Sequence, residues 1–463
     1  MDRLISILKI QCWILLIICV GCNKDAFLES NPKSELVIPS TLDDCQALLD
    51  NENVMSETPS LGEISADNYY LPYNFWRGLN IREKNAHIWQ QNTFEGLVGN
   101  IPDWNSPYKQ VFTANVILSA LSKIPLTSSN SQKWNAIKGA ALFARGHAFY
   151  QISQLFSPEY TSSNVGKNQG IPIKLSPDVD DPTVRSTLQE TYNKILSDLS
   201  DASLLLPSDV PPMNRNRSSR PAALALLSRV SLFMNRYQDA KKYADTCLSL
   251  YSTLINYDTI KTAGNNPFNS LNAETIYQSR FITTNVLRAI TVSNCIVDSS
   301  LYYSYEPNDL RKDVLFRKHP TTNAVNPKAS YNGTNQLFTG IATDEVYLIR
   351  AECQARLGNT QEAMSDLNNL LNKRWKAGEF VSKTAESPSA ALDTILKERR
   401  KELPFRGLRW SDIRRLNKNG DEKIVLKRFI NGVSFKLEPG DPRFTLLIPP
   451  DVIGFTGIQQ NPR

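Results

Sequence analysis

Seven aromatic and polar side chains crowd the stretch "SADNYYLPYNFWRGLN": Asp67, Asn68, Tyr69, Tyr70, Tyr73, Trp76 and Arg77. Flat rings of this kind cover the apolar faces of sugars, while Asn, Asp and Arg bond the hydroxyls at their rims. The same composition also packs a loop onto its own scaffold, so both readings stand at this point. A second aromatic run, "LYYSYEP" at 301–307, has the same character and lies beside Asp309 and Arg311. Catalytic spacing is missing. The chain holds no H-E-x-x-H, no G-x-S-x-G and no phosphate-binding loop. Its three histidines, His87, His147 and His319, are far apart, and no carboxylate pair stands out from the many present. We therefore expect a binding protein with no catalytic residue, no metal site and no cofactor.

The most charged stretch is "KERRKELPFRGLRWSDIRRL", from Lys397 to Leu416, with six arginines and two lysines around Trp410. On a helix, Leu392, Ile395, Leu396, Arg399 and Leu403 share one face, which puts Arg399 on the apolar side. A buried arginine needs acidic partners or carbonyls. Glu398, Glu402 and Asp412 are close in sequence, and Pro404 and Gly407 break the helix before "RWSDIRRL" starts another. The expectation is a helix–turn–helix corner tied by ion pairs. Net charge is only +6 over 463 residues, which argues against a nucleic-acid partner.

The first residues read as a targeting signal. Arg3 and Lys9 precede the apolar run "IQCWILLIICVGC", which is too short and too near the N-terminus for a good membrane span. Gly21 and Cys22, followed by polar "NKD", resemble a bacterial lipoprotein leader of residues 1–21, cut before Cys22 and lipidated on that cysteine; Cys19 stands where leucine is usual. "CVGC" straddles the cleavage point, which removes a redox or zinc reading. Cys45, Cys247, Cys295 and Cys353 remain, scattered and without paired metal spacing.

Helical periodicity dominates the rest. It runs through "SPYKQVFTANVILSALSKI", "QKWNAIKGAALFARGHAFYQISQLF" and "STLQETYNKILSDLSDASLLL", the last opened by a capping box at Ser186 or Thr187 with Gln189 and Glu190. Pro221 suits the first turn of the next helix. Two later segments resemble each other: aligning Ala240 with Ala363 also pairs Gln238 with Gln361, Leu224 with Tyr347 and Met234 with Leu357. Both follow the tetratricopeptide pattern of about 34 residues, a helix pair in which small residues such as Ala351 and Ala363 allow close approach. Residues 57–108 and 257–340 are irregular and rich in turn signals, and the wide separation of the two copies argues against a simple solenoid.

Taken together, these pieces resemble the SusD/RagB family. Its C-terminal signature is an E-R-x-x-E-L run leading to E-G-x-R-W-x-D-x-x-R. Glu398, Arg399, Glu402, Leu403, Gly407, Arg409, Trp410, Asp412 and Arg415 occupy the matching places, with Arg406 where the family often has Glu. "YEPNDLRKDVLF" resembles its nD-x-R segment, and "IPPDVIGFTGIQQNPR" its tail. The resemblance implies a mainly α fold of tetratricopeptide-like pairs with long loops on the other side. It divides into an N-terminal part, 22–256, and a C-terminal part, 257–463, of one intertwined fold. It further implies an outer-membrane lipoprotein facing outward, a lid on a SusC-like TonB-dependent transporter, with an oligosaccharide or a peptide as ligand. The early loop, 67–77, is where such proteins tend to contact ligand, and the basic motif packs the scaffold. A peptide-binding lid and an assembly scaffold without a ligand are the alternatives.

Overall fold

The computed structural model describes residues 39–463 except 98, 162, 164, 265, 292, 293 and 329. The expected leader and Cys22 lie outside them. Helix α1 spans Leu42–Leu49 and packs on α2 (Pro102–Leu121) and α3 (Ser131–Phe156). α2 starts earlier than its periodicity suggests, because Pro102 fills the first turn, where no N–H is needed. α4 (Leu188–Leu205) opens with Thr187 and Glu190 as a reciprocal capping box. α5 (Arg220–Phe233) carries Pro221 in its first turn, under a Ser219 cap. It pairs with α6 (Tyr237–Leu250), as α7 (Thr343–Arg356) pairs with α8 (Thr360–Leu371).

Each of these helices, from α2 to α8, packs against the next. The two repeat-like pairs are therefore neighbours in space: α6 lies on α7, and residues 251–342 loop out between them. Their long separation in sequence does not interrupt the array. Small residues set the spacing. A methyl added at Gly146 of α3 would sit 3.1 Å from Leu199 of α4, and Ala240 of α6 packs with Ile349 and Cys353 of α7 and Leu232 of α5 in one apolar cluster.

The insertions are short helices and two-stranded pairings. β1 (Tyr69–Tyr70) runs antiparallel to β2 (Ile296–Val297). After α9 (Pro388–Glu402) and α10 (Arg409–Asn419), β3 (Leu426–Ile430) and β4 (Val433–Leu437) form a five-rung hairpin. Its turn residues Asn431 and Gly432 both have positive φ, as a tight I′ hairpin requires. Residues 40–463 form one unit.

Ion pairs fasten the corner between α9 and α10. Arg311, fully buried, donates to Asp309 (2.6 and 2.9 Å), Glu398 (2.6 Å) and Glu402 (3.0 Å). Glu402 also accepts from Arg374 (2.6 Å), whose guanidinium reaches Glu274 (2.8 Å) and the carbonyl of Ile255. Asp412 accepts from Arg399 (2.8 Å) and Arg415 (2.9 Å), and Arg415 grips Glu352 of α7 with two bonds. Burial pushes the Asp412 and Glu352 carboxyls up, but the adjacent guanidinium groups outweigh it and hold both below their ordinary values. Arg406 finds its own partner in Asp344 and stacks on Tyr331 at 4.3 Å. Arg414 bonds the carbonyls of Gln154 and Ser157 at the end of α3. The tail docks nearby: Asn461 donates to the carbonyls of Phe156 and Leu446.

Replacing Arg311 with methionine removes the shared cation of three buried carboxylates and leaves them to Arg374 and Lys401. Urea unfolding of Arg311→Met should show a loss of about 3–5 kcal/mol, the cost of removing one partner from a buried ion network.

Candidate functional site

The strand pair β1–β2 joins the first aromatic run to the segment that leads into the second. Tyr69 faces Val297 and Tyr70 faces Ile296, and the N–H of Asp298 donates to the Asn68 carbonyl at 2.9 Å. Asp298 then caps the short helix Ser299–Tyr302, its carboxylate accepting from the Leu301 N–H. A cleft of about 460 Å³ opens at this junction, walled on its other side by strand β3. Such a volume suits a small ligand.

The seven side chains proposed from the loop separate into three groups. Tyr69 and Asn68 are buried, and of the two only Tyr69 borders the cleft. The Tyr69 ring packs among His87, Phe405 and Arg428. Asp67 lines the cleft, but its carboxylate is taken up by Arg409 in a two-bonded pair (2.7 and 2.9 Å). Burial raises the Asp67 pKa, but Arg409 and Arg400 hold it well below the usual carboxylate range. Tyr70 remains 47% exposed and lines the cleft. Tyr73, Trp76 and Arg77 do not line it. They form a separate surface cluster, with the Arg77 guanidinium 5.9 Å over the Tyr73 ring and the Trp76 indole donating to the Lys84 carbonyl. In the second run, Tyr302 and Tyr305 are buried, while Tyr303 is exposed.

Several cleft residues are ones that sequence reasoning did not propose as ligand contacts. Arg400, on the outer side of α9, donates to Asp298 and to the Ser300 hydroxyl, each at 3.2 Å. Phe429, 75% exposed, and Lys427 project from β3. The alternation in "LKRFI" carries the signal: Leu426, Arg428 and Ile430 turn inward, so Lys427 and Phe429 share the outward face. "NG" at Asn431–Gly432 marks the hairpin that presents them. Two other hollows, of about 430 and 520 Å³, carry no exposed aromatic ring; Phe143, Tyr277 and Phe444 in their walls are all buried.

Arg428 builds the cleft floor. It donates to the carbonyls of Ala66 (2.6 Å), Tyr69 (2.9 Å) and Ile64 (3.3 Å), and to Nε2 of His87 (3.2 Å). Burial, with help from Arg428, keeps His87 neutral, and this network assigns its proton to Nδ1, directed at the Ile64 carbonyl. His147 is likewise buried and neutral, its pKa lowered by burial to about 3. Among the described residues no group of His, Cys, Asp and Glu has the geometry to hold a metal ion.

Comparison with known proteins agrees with this architecture. Residues 26–232 match a family described as SusD-like, "Starch-binding associating with outer membrane", and residues 241–438 match the SusD family. The chain belongs to the SusD/RagB family. SusD-like protein P2 of Formosa agariphila is 24% identical over 89% of this chain and 91% of its own. A SusD superfamily structure from Bacteroides thetaiotaomicron superposes with a TM-score of 0.74 at 23% identity, covering 91% of this chain and all of the other. A SusD-like carbohydrate-binding protein from Bacteroides vulgatus gives 0.67 at 20% identity, over 90% and 97% of the two chains. The mainly helical SusD fold is thus shared across these relatives.

Beside the cleft, Glu63 links the early segment to the corner, accepting from the Gly407 N–H at 3.0 Å. Burial is the larger influence on it and raises its pKa from 4.5 to about 7. The unfolded chain releases this proton near 4.5, so the stability it contributes at low pH is lost as the pH rises through about 7. Glu63→Gln should therefore gain on the parent protein between about pH 5 and about pH 8, measured as the difference in urea midpoint.

Proposed function

We propose that this protein is an outer-membrane lipoprotein, anchored through Cys22 and facing outward. In this reading it binds an oligosaccharide in the Tyr70–Phe429 cleft and passes it to a SusC-like TonB-dependent transporter. One observation carries the reading: two exposed aromatic rings line a single cleft whose polar groups include Asp298, Ser300 and Arg400. Rings of that kind cover the faces of a sugar, while carboxylate, hydroxyl and guanidinium groups meet its hydroxyls. Family membership and the carbohydrate-binding relative from Bacteroides vulgatus support the same ligand class. Affinity without turnover is what such a site offers, because nothing in it is arranged as an acid–base or nucleophilic pair.

Calorimetric titration of the full chain in detergent, against plant, host and microbial oligosaccharides and a mixed peptide digest, tests the proposal. One saccharide class should bind. Tyr70→Ala and Phe429→Ala should each weaken it about tenfold, equivalent to about 1.4 kcal/mol, with an unchanged circular dichroism spectrum. Binding of peptides alone would transfer the site to a peptide lid, and loss of neither ring mattering would remove the cleft from the reading. Cell fractionation checks the anchor: Cys22→Ser should move the protein out of the membrane fraction.

A further inference from the structure

The charges around the cleft do not balance. Asp67 is paired with Arg409, and Asp298 with Arg400. Arg428 is left over. It is only 6% exposed, and its partners are backbone carbonyls, neutral His87 and the faces of Trp89 and Tyr69. No carboxylate of the described residues lies within ion-pair distance of it. Burial lowers its pKa to about 10, which still leaves it charged at neutral pH. Its Nε has no hydrogen-bond partner, and neither does the buried Nε of Arg400; both residues line the cleft. Lys427, exposed on the outward face of β3 and also lining the cleft, has no acidic partner among the described residues either. A buried charge without a counter-charge is costly, and a ligand that supplies one is favoured for that reason.

We infer that the cleft takes an anionic saccharide, one bearing a uronate carboxylate or a sulfate ester. Its charged group sits by Lys427 and Arg428, and its sugar faces lie on Tyr70 and Phe429. This inference rests on the saccharide-binding reading and narrows it. A neutral sugar leaves Arg428 and Lys427 without an ion-pair partner, with Asp67 acting on Arg428 only from beyond pairing distance. An anion matches one or both.

The test is calorimetry on the full chain with matched ligands. Polyuronide oligosaccharides are compared with their carboxyl-reduced forms, and sulfated galactan and fucan oligosaccharides with their desulfated forms. The acidic member of a pair should bind at least about tenfold tighter, with the preference shrinking as salt is raised, since screening weakens exposed charge pairs. The pair that shows the preference tells carboxylate from sulfate. Lys427→Glu alters an exposed side chain and should erase the preference; the salt titration gives the same information on the unaltered protein. Equal binding of charged and neutral partners would overturn the inference and leave the saccharide reading intact. Binding of no saccharide at all would overturn both.

Discussion

The corner between α9 and α10 depends on Glu402. This one carboxylate accepts from Arg311 and Arg374, which draw in Asp309, Glu398, Glu274 and the carbonyl of Ile255. The partners come from segments far apart in sequence, so the network holds together chain that local helix formation could never join. Hydrophobic contact alone is non-directional. Two-bonded guanidinium–carboxylate pairs fix orientation as well as distance. The second network, Arg399–Asp412–Arg415–Glu352, does the same between the corner and α7. Desolvating so many charges costs stability that an apolar core would not lose. What the charges supply is one geometry for a corner where helices, tail and insertions converge.

With the corner fixed, the cleft inherits its shape from the scaffold. Arg400 belongs to the same helix as Arg399 and Glu402, one residue from each network, but faces outward to Asp298. Arg409, at the start of α10, captures Asp67 and so pins the segment that leads into β1. Arg428 ties the same segment to β3 through carbonyls at Ile64, Ala66 and Tyr69. The exposed rings Tyr70 and Phe429 are thus carried on short strands whose neighbours are all anchored. That arrangement lets a largely irregular region present preorganised groups.

Much of this was legible in the chain. Helical periodicity, the capping box at Thr187 and Pro221 located the scaffold, because those signals are local. The apolar phase of Arg399 already required an acid, and Asp412 supplied it. The site was harder to read. "SADNYYLPYNFWRGLN" concentrates aromatic residues, but composition cannot say which rings turn inward. Tyr69 and Tyr70 are adjacent, and strand alternation alone sends one to the core and the other to solvent. Phe429 was overlooked, and Arg400 was read only as part of the ion-paired corner, because their place at the cleft depends on long-range pairing. Nothing near Phe429 in sequence indicates that Tyr70 will lie across the cleft from its strand.

The four cysteines of the described chain, Cys45, Cys247, Cys295 and Cys353, are all buried and all unpaired. Burial raises the thiol pKa of each, that of Cys247 to about 12, so little of the reactive thiolate exists in the folded state. Burial therefore shelters these four thiols from oxidants while the chain is folded. Exposure of these thiols is confined to the unfolded chain. Packing, rather than any covalent bond among these four, is what keeps them apart from solvent.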